Sequence, residues 1–68
     1  MRENLRLFRE GIGFTQEQMA SKLGYARGYY CAVEQGIKNG SINFWRDLQI
    51  KFQIKDNDMW VLTKTTNK

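Results

Sequence analysis

The sequence lacks most of the side chains on which catalytic and metal sites depend. Its 68 residues include no histidine and a single cysteine, Cys31. A lone cysteine cannot form an internal disulfide, and without histidine no imidazole or thiolate cluster can bind a metal. Because no nucleophile stands beside a general base either, we expect no enzymatic activity, no cofactor and no small-molecule ligand.

Long apolar runs are also absent. No stretch approaches the ~20 apolar residues that span a bilayer, and no basic segment followed by an apolar core marks an export signal. The unpaired cysteine suits a reducing compartment, so we expect a cytoplasmic protein without a membrane partner. The net charge of +4 favours an anionic partner, although solubility alone accounts for such a charge equally well.

The stretch 15–36 predicts two short helices joined by a sharp turn. Thr15 is a good N-cap, and a glutamine three residues later completes a capping box. Gly24 can adopt the left-handed conformation that ends a helix, and a second helix is expected over about 27–34. Ala20 is small enough for the two helices to cross closely. The pattern is typical of a helix-turn-helix, whose second helix enters the DNA major groove.

The flanks of this stretch predict three further helices. They cover about 3–12, a segment capped by Ser41, and a short piece around 59–62. We therefore predict one all-α domain over 1–62, a compact five-helix bundle, and a frayed tail at 63–68. Apolar residues that recur at helical spacing, and are expected in the core, include Leu5, Phe8, Ile12, Met19, Leu23, Tyr25, Tyr30, Val33, Ile42, Trp45, Leu48 and Phe52.

At this point the chain resembles the lambda-type repressor and Cro family, also called the XRE family, of phage and bacterial DNA-binding regulators. The resemblance runs from about residue 5 to residue 60. It rests on the joint spacing of Arg9, Thr15-Gln16, Ala20, Leu23-Gly24, Tyr30, Val33-Glu34, Gly36 and Ser41-Ile42. It implies a lambda repressor-like fold and a sequence-specific repressor, of phage or mobile-element type, that occupies an operator on double-stranded DNA as a symmetric homodimer.

The resemblance also implies a structural ion pair between Arg9 and Glu34, at the end of the second helix. The alternative is that Arg9 is free to bind a phosphate, since an arginine can serve either role. Self-association would have to use the surface of the domain itself. Apolar residues off the core stripes are the candidates for it, namely Phe44, Ile50, Trp60, Val61 and Leu62.

Base contacts are expected from the first two turns of the second helix, on the face turned away from its own core. Arg27 can make two parallel bonds to a guanine, and its alternatives are a phosphate contact or a merely solvated side chain. Tyr29 can pack on a thymine methyl, donate to a phosphate, or only cover the helix. The full set of candidate base contacts is Ala26, Arg27, Gly28, Tyr29 and Ala32.

Phosphate contacts are expected near one edge of the same unit. The resemblance assigns one to Gln16, where a side chain and a helix N-terminus can both meet a phosphate. Lys38 and Asn39 in the loop after the second helix add to it, together with Lys22. Each of these residues can equally be a solvated polar side chain.

The chain departs from the family pattern at several positions, among them Tyr30, where relatives favour Ile or Val, and Gly40, where they often carry proline. Ala26 stands where relatives carry a Ser or Thr cap, and Gly28 lies in the first turn of the helix, at a cost of ~1 kcal/mol each. Either the glycine lets the backbone approach DNA closely, or the surface serves as an antitoxin-like or anti-repressor protein-interaction module, which the aromatic pair Tyr29-Tyr30 also suggests. We expect Cys31 to be inert and part-buried, with a redox sensor as the alternative.

Overall fold

All five predicted helices are present. A computed structural model describes residues 1–64, and every regular element in that range is helical. The predicted all-α, five-helix fold is therefore confirmed. Of the tail predicted at 63–68, residues 65–68 lie outside the described range, and Thr63 is the last residue of a helix. The helices are α1 (Glu3–Gly11), α2 (Gln16–Leu23), α3 (Arg27–Gln35), α4 (Ile42–Phe52) and α5 (Asp56–Thr63).

Local hydrogen bonds explain where two of these helices begin. The hydroxyl of Thr15 accepts from the backbone N–H of Gln18 at 3.1 Å, and the Gln18 side chain accepts from the Thr15 N–H at 2.9 Å. The predicted capping box is thus complete. Ser41 caps α4 in the same way, since its hydroxyl accepts from the backbone N–H of Phe44 at 3.0 Å.

The core forms where all five helices meet. α2 packs against α3 and α4, while α5 packs against α1 and α4. Phe8, Tyr25, Trp45 and Phe52 pack against the core while remaining partly exposed. The buried apolar side chains are Leu5, Met19, Ala20, Leu23, Tyr30, Val33, Phe44, Leu48, Ile54, Met59 and Leu62.

The predicted core of α4 was wrong at two positions, because Ile42 was expected to be buried and Phe44 to be exposed. Ile42 is 78% exposed, whereas Phe44 is completely buried. Phe44 stands four residues before Leu48, while Ile42 joins the stripe three residues before Trp45, so the spacing alone does not choose between them. The choice is made by aromatic packing, because the Phe44 ring meets those of Tyr25, at 5.3 Å between centroids, and Trp45, at 5.0 Å.

Two further expectations of burial or exposure need correction. Ile12 is exposed because it caps the C-terminal end of α1 and lies beyond its last core-facing turn. Leu62, predicted on a self-association surface, is buried, as is Phe44 from the same prediction. Ile50, Trp60 and Val61 from that prediction are exposed.

Over residues 1–64, none of the helices combines the length and the apolar character that crossing a membrane requires.

Candidate nucleic-acid interface

The turn between α2 and α3 brings the N-terminal end of α3 to the surface. Gly24 ends α2 with φ +81°, a left-handed conformation in which glycine is not strained. The chain is extended at Ala26, which precedes the first helical residue. Ala26, Arg27 and Gly28 then follow one another as exposed residues. They occupy the surface turn at which the sequence predicts base contacts.

The exposed stretch 26–28 at the start of α3 carries one long side chain among small residues. Arg27 is exposed and forms no ion pair within residues 1–64. No side chain caps the helix at Ala26, and nothing within 4 Å would meet a Cβ at Gly28. Ala32, one turn further, is half-buried. Arg27 is therefore the long, charged side chain of an exposed stretch whose neighbours, Ala26 and Gly28, are small.

Tyr29 is held in place rather than free on the surface. Its half-buried ring stacks on Tyr25 at 5.2 Å and meets the edge of Phe44 at 5.7 Å. Its hydroxyl oxygen accepts a hydrogen bond from the backbone N–H of Ser41 at 3.0 Å. The phenolic hydrogen is not used in that bond, so the hydroxyl can still donate to an external acceptor.

The same contact places the loop 36–41 beside the first turn of α3. Ser41 ends this loop, and its N–H lies within hydrogen-bond distance of the Tyr29 hydroxyl. Lys38 and Asn39, both predicted to contact phosphates, are exposed in the loop. Lys22 is exposed in the last turn of α2.

Gln16 is the predicted phosphate contact whose side chain is used inside the protein. Its amide N–H donates to the Glu34 carboxylate at 2.8 Å, and its carbonyl oxygen accepts from the thiol of Cys31 at 3.2 Å. A phosphate at the start of α2 would therefore meet the free backbone N–H groups of the helix, not the Gln16 side chain.

Glu34 is the centre of a buried polar network. Its carboxylate is fully buried and accepts from Arg9 Nε at 2.8 Å and from the Tyr30 hydroxyl at 2.8 Å, in addition to Gln16. The ion pair that the resemblance implies between Arg9 and Glu34 is thus present. Arg9 also donates to the carbonyl of Phe14 at 2.8 Å and is only 8% exposed, so its guanidinium is not available to a phosphate.

The charges in this network are set by burial and by hydrogen bonds. Burial would raise the pKa of Glu34, but the bonds from Arg9, Gln16 and Tyr30 outweigh it and hold the pKa below its ordinary value. The bond to Glu34 also raises the pKa of Arg9. Burial, together with the bond to Glu34, raises the pKa of the Tyr30 hydroxyl far above its ordinary value. At neutral pH the network therefore consists of an ionised Glu34 carboxylate, a cationic donor, Arg9, and two neutral donors, Gln16 and Tyr30.

Arg2 is a buried residue that the sequence analysis missed. It is 5% exposed, and its guanidinium donates to the backbone carbonyls of Lys38 at 2.9 Å and Thr63 at 3.0 Å. No local sequence pattern predicts this burial, because an arginine just before a helix is usually exposed to solvent. Its partners are separated from it by 36 and 61 residues, so they become neighbours only in the folded chain.

The remaining titratable groups include one thiol. Cys31 is half-buried, as predicted. Within residues 1–64, no three His, Cys, Asp or Glu side chains lie together in a way that could hold a metal ion.

Comparison with protein-family models, with curated proteins and with solved structures finds no match to this chain.

Proposed function

We propose that this protein is a sequence-specific double-stranded DNA-binding regulator, of the phage or mobile-element repressor type, that reads its operator with α3. The observation that carries the proposal is the exposed turn 26–28, where an arginine that forms no ion pair within residues 1–64 stands among small residues beside the loop 36–41. The proposed activity is binding and not catalysis, and a regulator of this kind acts in the cytoplasm. The resemblance noted in the sequence supports the same function.

Each candidate residue has a distinct role in this proposal. Arg27 enters the major groove and makes paired bonds to guanine O6 and N7, while Ala26, Gly28 and Ala32 allow the backbone to approach the bases. Lys38, Asn39 and Lys22 contact phosphates, and Tyr29 donates its free phenolic hydrogen to one. Arg9 and Glu34 act inside the domain, where their ion pair holds α3 against α1.

The decisive experiment captures genomic DNA fragments with the tagged protein and compares wild type with Arg27→Ala. Lys51→Ala is the matched control, because Lys51 is also basic and exposed but lies on α4. We expect wild type and the control to enrich fragments that share a short palindrome. Loss of a bidentate arginine-guanine contact should cost about 1–3 kcal/mol at one base position, so R27A should lose the enrichment.

Two results would contradict this assignment. Recovery of only random, salt-sensitive fragments by wild type would leave the protein without a specific operator. Equal losses in R27A and K51A would show that the two basic side chains contribute charge and that Arg27 does not read a base.

A second candidate function is a protein-interaction module. The pair Tyr29-Tyr30 no longer supports it, because Tyr30 is fully buried and Tyr29 packs on Tyr25. A different observation does: Ile42 and Trp60 are 78% and 71% exposed and line the same groove between α4 and α5. Apolar side chains of this size on a small domain favour a protein partner, including the second copy of a homodimer.

Sedimentation distinguishes a homodimer formed through this groove from the binding of a different protein. A homodimer predicts a concentration-dependent increase in mass, either alone or on a palindromic DNA, that Trp60→Ala reduces. A pure monomer at high concentration, both with and without DNA, would exclude the dimer. DNA binding through several phosphates should also weaken steeply with salt, whereas an apolar protein interface should not.

A further inference from the structure

Arg2 carries a buried positive charge that no carboxylate within residues 1–64 neutralises. Its guanidinium instead donates to four backbone carbonyls, and its own N–H donates to the carbonyl of Glu34 at 2.7 Å. Burial lowers the pKa of this guanidinium. The four carbonyls belong to Val33, Lys38, Asn39 and Thr63.

Four of the five carbonyls that accept from Arg2 lie in one segment, the end of α3 and the loop that follows it. Val33 and Glu34 contribute carbonyls from the last turn of α3, the end of a helix that carries a partial negative charge. Lys38 and Asn39 contribute carbonyls from the loop that follows. One side chain thus connects the end of the proposed recognition helix to the loop that is proposed to contact phosphates.

Trp45 also holds this loop. Its indole N–H donates to the carbonyl of Asn39 at 3.0 Å, and its ring lies under the Arg2 guanidinium, 5.4 Å from the centroid. Gly40 passes close to the ring with φ +81°, so that a Cβ there would lie 2.8 Å from the indole nitrogen. The backbone of 38–40 is therefore clamped by an arginine and a tryptophan that also contact each other.

The clamp uses backbone carbonyls and leaves the side chains of the loop available. Lys38 and Asn39 are both exposed, although their carbonyls are bonded to Arg2. The fourth acceptor, Thr63, ends α5 and anchors the guanidinium to a helix outside the interface. A loop that is ordered before binding loses less conformational entropy when it meets its ligand.

We propose that Arg2 is a positioning residue for DNA binding, which holds the loop 36–41 in the conformation that presents Lys38 and Asn39 to DNA phosphates. This inference rests on the proposed DNA-binding function. Arg2 acts on the loop backbone and does not contact DNA itself. Its effect should accordingly be the same on every DNA sequence, in contrast to that of Arg27.

The test compares Arg2→Gln and Arg2→Lys with the control Arg6→Gln. Arg6 lies on α1, where its guanidinium pairs with Glu3 and Glu10, so the control also removes one positive charge but leaves the loop untouched. Arg2→Lys retains the charge and loses the fork of donors that reaches several carbonyls. We expect R2K to behave like R2Q, and R6Q to behave like wild type.

The first measurement is amide hydrogen exchange in the free protein. The N–H groups of Ile37 and Lys38 donate to the carbonyl of Ala32, and that of Ser41 donates to Tyr29, so these three amides report opening of the loop. In R2Q and R2K they should exchange faster by about tenfold or more relative to core amides such as that of Leu48. Equal acceleration of loop and core amides would show that Arg2 only stabilises the whole domain, and would overturn the proposal.

The second measurement is DNA affinity as a function of salt, with Lys38→Ala introduced into wild type and into R2Q. In wild type the Lys38 substitution should reduce the slope of log affinity against log salt by about one. In R2Q the same substitution should change the slope far less, because the loop no longer presents the lysine. Additive effects of the two substitutions, or full binding by R2K, would overturn the positioning role.

The two proposals fail in different ways. If wild type shows no salt-dependent DNA binding, the proposed function fails and the positioning role falls with it. If wild type binds DNA and R2Q binds with the same affinity and salt slope, the proposed function stands and only the role of Arg2 is lost.

Discussion

The hydroxyl of Tyr30 donates to the carboxylate of Glu34 at 2.8 Å, one turn further along α3, and both side chains are completely buried. The two residues lie on the buried face of α3, whereas residues 26–28 at its start are exposed. With Arg9 and Gln16, Tyr30 satisfies the carboxylate in an environment where an unpaired charge would be costly. The orientation of the proposed recognition helix therefore depends on a buried polar contact as well as on apolar packing.

Tyr30→Phe should destabilise the domain by about 1.5–3 kcal/mol, because it removes a hydrogen bond to a buried charge and retains the ring. Urea denaturation followed by circular dichroism measures the change. Tyr25→Phe, at a half-buried tyrosine, is the control and should change stability by less than about 0.5 kcal/mol. Equal effects of the two substitutions would mean that the bond to Glu34 contributes nothing specific.

The free energy of unfolding should decrease as the pH falls below 4.5, the ordinary pKa of a glutamate. The folded state holds the pKa of Glu34 below that value. The unfolded chain therefore takes up a proton first, and the stabilisation is lost as the pH falls through the lowered pKa. Glu34→Gln should be less stable than wild type at neutral pH, and the difference should shrink in acid.

Glu17→Gln, which removes an exposed carboxylate, is the control for this pH series. It should retain the acid-side loss of stability seen in wild type. If the difference between wild type and E34Q stays constant from neutral to acid pH, the ionised form of Glu34 is not what stabilises the fold.

The start of α3 can be strengthened at two positions. Ala26 has the extended backbone of an N-cap, with φ −68° and ψ 146°, so Ala26→Ser should stabilise the domain by ~1 kcal/mol. Gly28→Ala should add about 0.5–1 kcal/mol, since the site has open space around it. Thermal unfolding of both variants measures these gains.

The same two variants test why the glycine is present, when their DNA affinities are compared. If DNA approaches the backbone closely at this turn, G28A should be more stable than wild type and bind DNA more weakly. Stabilisation by both variants with no loss of affinity would rule out a close approach at Gly28.

Gly40→Ala should destabilise the domain more than Gly13→Ala. Both glycines have φ +81°, so both substitutions introduce the strain of a left-handed residue. Only at Gly40 would the new Cβ meet the Trp45 indole, which its bond to Asn39 holds in place. We expect an additional cost of about 1–3 kcal/mol from this overpacking, measured by urea denaturation. Equal losses at the two sites would show that Trp45 moves aside freely.

Local sequence signals were sufficient to predict five helices, although α5 begins at Asp56, three residues earlier than predicted. The capping box at Thr15, the turn at Gly24 and the cap at Ser41 all act between residues close in the chain, so they can be recognised without knowing what packs against them. Arg27 and Gly28 were expected on the face of the second helix that is turned away from its core, and both are exposed. The ion pair of Arg9 and Glu34 was expected only through the resemblance to a family.

Contacts between distant segments depended on the tertiary structure. Spacing allowed either Ile42 or Phe44 into the core, and the aromatic neighbours from the α2–α3 turn and from α3 chose Phe44. The Gln16 side chain points into the protein because it donates to the Glu34 carboxylate. Arg2 is buried because the end of α3, the loop 36–41 and α5 all supply carbonyls to it. Hydrogen bonds of this kind join groups that are far apart in the chain. A local sequence pattern cannot predict them, because it does not determine which distant segments will become neighbours.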